Sequence, residues 1–182
     1  MDFSDIILDS AVLVVGGVHL TATRGGLSFD PGEEWDDFVY PGRTMNTKAC
    51  RELVRLAPTI KGTAMMTGEA QMSAFRPSGQ WSDSEETENV RLFTPAAIRG
   101  DLTPADYLAD VFCIWKRQRG DYFAVEFPFA ISTSWSIGSA DGDEGLLQIV
   151  IAAAQSPLAG TTKTRVPYRL HTLPSTTQLA DL

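Results

Sequence analysis

Apolar and polar residues alternate with period two from Val18 to Arg24. Val18, Leu20 and Ala22 fall on one face and His19, Thr21 and Thr23 on the other, the repeat of a half-buried strand. The preceding run AVLVV, residues 11 to 15, is apolar throughout, and the Gly16-Gly17 pair between the two runs predicts a bulge or bend. The strongest strand pattern is YFAVEFPFAI, residues 122 to 131. Phe123, Val125, Phe127, Phe129 and Ile131 share one face and Glu126 points from the other. Pro128 has no N–H to give, which places this strand at an edge or breaks it there. Before it, VFCIW (111–115) is apolar on both faces, and RQRGD (117–121) links the two runs as a hairpin. The turn sequence SADGDEG then leads to LLQIVIAAA, residues 146 to 154, completing an antiparallel meander over 111–154.

Helix signals are sparse. Thr94-Pro95 and Thr103-Pro104 each set threonine at an N-cap and proline at the first helical position, and Asp106 adds a capping-box acid. One or two short helices are expected between 94 and 110, followed by a strand. Residues 76–89, RPSGQWSDSEETEN, read as an acidic surface loop, and the tail from Ser156 to Leu182 as an arm that another surface must order. Together these predict a mainly antiparallel β domain of about seven strands with one small helical insertion. The expected organisation is an N-terminal arm over 1–10, a β domain over 11–155 and a C-terminal arm over 156–182.

Charge narrows the function. The chain has 182 residues, with 15 basic against 23 acidic side chains and a net charge of -8. That opposes an electrostatic grip on nucleic acid or on an anionic membrane. At 43% apolar and 21% charged, the chain has a folded domain's composition. Cys50 and Cys113 stand alone, without metal-ligand or disulfide spacing, and read as buried free thiols. The opening MDFSDIILDS has neither a basic n-region nor a long apolar run, so a signal peptide is not expected, and folding in a reducing cytoplasm is.

Candidate chemistry is thin. GVHLTATRGGLSFDPGEEWDD, residues 17 to 37, ends in glycine, proline and acids. It lacks the spacing of a phosphate loop, and its carboxylates would repel phosphate. Asp30, Glu33, Glu34, Asp36 and Asp37, or Asp141, Asp143 and Glu144, supply oxygens for calcium but not at EF-hand spacing. His19 and His171 are the only histidines, and no nucleophile motif accompanies them. No enzyme, cofactor or metal is expected. Arg119-Gly120-Asp121 reads as part of a hairpin turn. Trp115 is expected in the core, while Trp35 and Trp81 sit in acidic stretches, where a large apolar side chain suggests a partner surface or folds back on its own domain.

The order of these elements resembles the major tail tube proteins of long-tailed, siphovirus-type bacteriophages. The resemblance covers roughly residues 11 to 155 and rests on LTATRGG, LSFDPGEEWDDFVYPGR, TIKGTAMM, LTPADYLADVF, RGDYFAVEFPFAI and DGDEGLLQIVIAAAQ. It implies a β-sandwich or half-barrel with a flanking helix, assembled as stacked hexameric rings whose inner sheets close into one continuous β-barrel in the virion tail. Its partners would be other copies of itself, a tape measure protein and tail tip or terminator proteins, with double-stranded DNA passing through unbound. Gly25 and Gly26 would end the early strand, and a loop from about Leu27 to Thr47 would reach the neighbouring ring. Phe29, Trp35 and Phe38 would anchor that contact, and Asp30, Glu33, Glu34, Asp36 and Asp37 would meet Arg43, Lys48, Arg51 and Arg55. Six copies would carry about -48 (6 × -8), which predicts a negatively biased lumen. Two alternatives accompany this reading: a monomeric β-sandwich holding carbohydrate or calcium through Trp35, Trp81 and the acidic loops, and a connector or tail-completion ring that never stacks.

Overall fold

A computed structural model describes residues 7–37, 51–65, 68–76, 79–94, 106–138, 146–154 and 166–176. The chain is mainly β and antiparallel. Its elements are β1 (Ile7–Val15), β2 (Val18–Asp30), β3 (Glu33–Asp37), β4 (Arg51–Leu56), β5 (Thr59–Met65), α1 (Glu69–Phe75), β6 (Gln80–Asp83), β7 (Arg91–Thr94), β8 (Leu108–Arg117), β9 (Tyr122–Gly138), β10 (Leu146–Ala153) and β11 (Arg169–Leu173). Seven strands form one sheet in the order β10-β5-β2-β1-β8-β9-β11, and β9 also pairs with β10.

Two long strands turn this sheet into two facing layers. The 13 residues of β2 pair with β1 over Val18–Thr21 and with β5 from Ala22 onward. Its ladder shifts register between Ala22 and Leu27, where Gly26 has φ +62°, a conformation glycine adopts without strain. The 17 residues of β9 pair with β8 and β11 in their first half and with β10 in their second. One layer is therefore the first half of β2, β1, β8, the first half of β9, and β11; the other is the second half of β2, β5, β10 and the second half of β9. Ring contact between Phe29 and Phe127, with centroids 6.1 Å apart, joins them. So does the indole of Trp115, which donates to the Leu27 carbonyl at 3.2 Å.

The core between the layers follows from the alternation. Leu13, Val15, Leu20, Ile60, Val111, Cys113, Val125, Phe127, Ile149 and Ile151 point inward and are buried, while His19 is exposed. Burial pushes the Cys113 thiol far above its ordinary pKa, so it stays protonated and inert. Pro128 neither breaks β9 nor lies on an open edge. It sits where β11 ends at Glu126 and β10 begins at Ala130. Opposite it, Asp110 falls between the paired residues Ala109 and Val111 with φ +48°, so no ladder bond is lost there.

Three local expectations change. An α-helix not foreseen lies at Glu69–Phe75, burying Met72 and Phe75; of the helices expected between 94 and 110, the described residues show Asp106 in a 3-10 turn and Leu108 to Asp110 already in β8, and residues 95–105 lie outside the described residues. The acidic stretch 76–89 contains β6, which pairs with β7 in a hairpin. Gly25 and Gly26 bend β2 without ending it.

The Arg119-Gly120-Asp121 tripeptide closes on itself. Arg117 N–H donates to the Asp121 carbonyl at 2.8 Å, and the Arg119 guanidinium lies 2.6 Å from the Asp121 carboxylate. The hydrogen bond from the Arg119 side chain, aided by the charges of Arg119 and Arg117, holds the Asp121 carboxyl below the usual range. A depressed carboxyl stabilises the fold above its unfolded pKa and loses that contribution as pH falls through its folded value. Asp121→Asn is thus expected to melt lower than the parent chain near neutral pH, with the gap closing below about pH 4. Thermal melts across that window check it; a gap that persists at acid pH contradicts the ion pair's role.

Candidate assembly surface

Two features of this fold lack partners among the described residues. The first is a ribbon. β3 and β4 form a separate two-stranded antiparallel sheet between β2 and β5, with Glu33 opposite Leu56, Glu34 opposite Arg55, Trp35 opposite Leu53, Asp36 opposite Glu52 and Asp37 opposite Arg51. A register shift between Glu34 and Trp35 leaves Val54 as the extra residue. The root is tight. Ala57 N–H donates to the Gly32 carbonyl at 3.1 Å, Gly32 has φ +57°, and a Cβ there would collide with the Ala57 carbonyl. Asp30 accepts from Gly32 N–H at 2.9 Å, fixing the turn out of β2.

The ribbon buries little of itself. Trp35 is 54% exposed, Leu53 40% and Val54 61%, and the Trp35 indole donates to the Glu33 carboxylate at 3.1 Å. An isolated two-stranded ribbon is marginal in water, and three large apolar side chains at its surface gain nothing from solvent. Its described strands carry five acids, Glu33, Glu34, Asp36, Asp37 and Glu52, against Arg51 and Arg55, a net charge of -3 (2 - 5). In backbone register, Glu34 stands opposite Arg55 and Asp37 opposite Arg51 of the same chain. Phe29 is not on this surface: it packs inward against Phe127 and Tyr168. Phe38, Arg43 and Lys48 lie outside the described residues.

The second feature is a pair of open rims. In the layer formed by β2, β5, β10 and β9, no described strand pairs with the side of Ala22–Asp30 that faces away from β5. None pairs with the side of Ile131–Gly138 that faces away from β10. Each rim is a row of backbone donors and acceptors, the usual template for another strand.

Other candidates are engaged within the chain. Trp81 donates to Ser73 Oγ at 3.1 Å and packs on Phe93, so it folds back. Trp135 packs on the core beneath Arg76. Among the described residues no group of three or more His, Cys, Asp or Glu is placed to hold a metal ion; Asp141, Asp143 and Glu144 lie outside them. Sequence reasoning missed Leu53 and Val54, whose segment RELVRL has no clean period of two, and it missed the cluster around Glu126. That carboxylate is buried, with His171 Nε2 at 2.7 Å and Arg169 at 3.6 Å, both from β11. The i, i+2 spacing of Arg169 and His171 was the available sign.

Compared with known proteins, the chain matches no protein-family model and no curated protein.

Proposed function

We propose that this chain is a structural subunit of a phage tail tube, assembling as stacked hexameric rings through which DNA is ejected. The observation that carries the reading is the four-strand layer with a rim on each side that no described strand pairs. A copy placed alongside can pair its Ala22–Asp30 rim with the neighbour's Ile131–Gly138 rim, and repetition closes a ring without any unpaired edge. Six copies give a continuous barrel of 24 strands (6 × 4). Closure is heterologous, head to tail, which matches two different rims better than a two-fold dimer does.

The ribbon supports the same reading along the other axis. It leaves the layer at Asp30 and Thr59 and exposes Trp35, Leu53 and Val54 beyond it, so an adjacent ring is the surface that would bury them. The function needs no catalytic constellation, and its partners are copies of the chain, tape measure and tail-end proteins, and passing DNA. A single connector ring would use the rims and leave the ribbon idle. A monomeric module would leave both idle.

Sedimentation and light scattering across concentration test this. Large assemblies growing with concentration support the proposal. A monomer at all concentrations that titrates with calcium in a calorimeter supports the binding module and overturns it.

A further inference from the structure

The acidic ribbon has a basic counterpart elsewhere in the fold. Lys116, Arg117 and Arg119 gather at the β8–β9 turn beside Asp121, a net charge of +2 (3 - 1) and the densest group of cations among the described residues. The turn is held in shape by Arg117 N–H donating to the Asp121 carbonyl and Gly120 N–H to the Arg117 carbonyl, at 2.8 and 3.0 Å. Lys116 and Gln118 are exposed, the Arg119 side chain is 42% exposed, and the Arg117 guanidinium lies over the Phe123 ring.

Contacts between the layers fix where this turn lies. The ribbon leaves β2 after Asp30. Phe29 meets the Phe127 ring. Leu27, farther from the ribbon, accepts from the indole of Trp115, which pairs with Phe123. Away from the ribbon, the first layer therefore runs from Phe127 to Phe123 and on to the β8–β9 turn. β9 reaches the root of the ribbon only at Ala130, opposite Ala153, whose N–H donates to the Pro58 carbonyl at 2.9 Å. Tyr122 to Ala130 is roughly 25 Å of strand. Ribbon and turn stand at opposite ends of the subunit.

We infer that the β8–β9 turn of one copy receives the β3–β4 ribbon of a copy in the next ring. The inference rests on the tube reading and names the receiving surface. A contact between unlike ends of the same chain repeats head to tail, so rings stack without limit and not in closed pairs. The ribbon's -3 meets the turn's +2, and such complementarity steers the encounter and fixes its orientation. Trp35, 54% exposed on the ribbon, supplies the apolar part, because an indole face packs on a guanidinium plane such as that of Arg119.

A charge swap in the full-length chain tests this, with assemblies counted by electron microscopy. Lys116→Glu with Gln118→Glu takes the turn to -1 (2 - 3), and Glu34→Lys with Asp36→Lys takes the ribbon to +1 (4 - 3). All four positions are exposed. Either pair alone is expected to leave rings and abolish stacking, and the chain carrying both pairs is expected to stack again, a rescue that a merely structural role would not give. A turn variant that stacks like the parent, or a combined variant that melts like the parent without stacking, overturns the assignment while the tube stands. Where a charge variant does not fold, Val54→Cys with Gln118→Cys decides, both again at exposed positions. Oxidised tubes are expected to run as a ladder of linked chains on a non-reducing gel, with no ladder from either single variant; single chains from the double variant overturn the assignment. Absence of tubes from the parent chain is a different result and overturns the assembly reading, and this inference with it.

Discussion

Excising the β3–β4 ribbon, Glu33 to Leu56, and joining Gly32 to Ala57 through an Asn-Gly turn is expected to yield a folded subunit that can close rings through its rims but does not stack them into tubes. The join is geometrically cheap because Ala57 N–H already bonds the Gly32 carbonyl at 3.1 Å, the closing contact of a hairpin. No described residue of the ribbon belongs to the buried core, so circular dichroism and the melting temperature should stay near those of the parent. Stacking should fall below detection, because the exposed apolar surface of Trp35, Leu53 and Val54 is gone. Tubes from the excised chain would remove the ribbon from the mechanism.

The second large effect concerns stability. Arg169→Ala with His171→Ala strips both described partners from Glu126, whose side chain is only 5% exposed. Removing the partners of a buried charge costs about 3–5 kcal/mol, well above the value of an exposed ion pair. The reverse change, Glu126→Gln, is expected to cost less. It leaves Arg169 and His171 at 27% and 35% exposure, able to turn to water, and retains an acceptor. Denaturant titration of both variants checks the asymmetry. Equal costs would mean that β11 is held by its backbone pairing with β9 and not by Glu126.

How much of this was legible in the sequence depends on where the period was clean. The alternations at 18–24 and 122–131 and the apolar runs at 11–15 and 146–154 correspond to β2, β9, β1 and β10, because each sends at least one face into a buried cluster and β1 sends both. The helix at Glu69–Phe75 was not legible. It offers only two buried positions, Met72 and Phe75, and an N-cap Gly68 with no side-chain cap, while the stronger capping signals stood elsewhere. The bend at Gly26 looked like a strand end, since a glycine pair marks either, and only pairing to β1 on one side and β5 on the other decides. Along 27–37 the chain reads as loop because its alternation is charge against charge. Glu33 to Asp37 forms a strand only because β4 supplies the partner ladder. Trp35 could be singled out, but Leu53 and Val54 became visible as surface only once that pairing was known. The Glu126 cluster joins residues 45 positions apart, which no local period reports.

The most direct measurement is electron microscopy of the full-length purified chain at high concentration. The account predicts tubes with stacked rings whose inner wall is a continuous sheet, with strands at about 4.7–4.9 Å spacing running unbroken from one copy's Ile131–Gly138 to the next copy's Ala22–Asp30. Separate, unassociated particles, or rings joined through any other pair of edges, would contradict it.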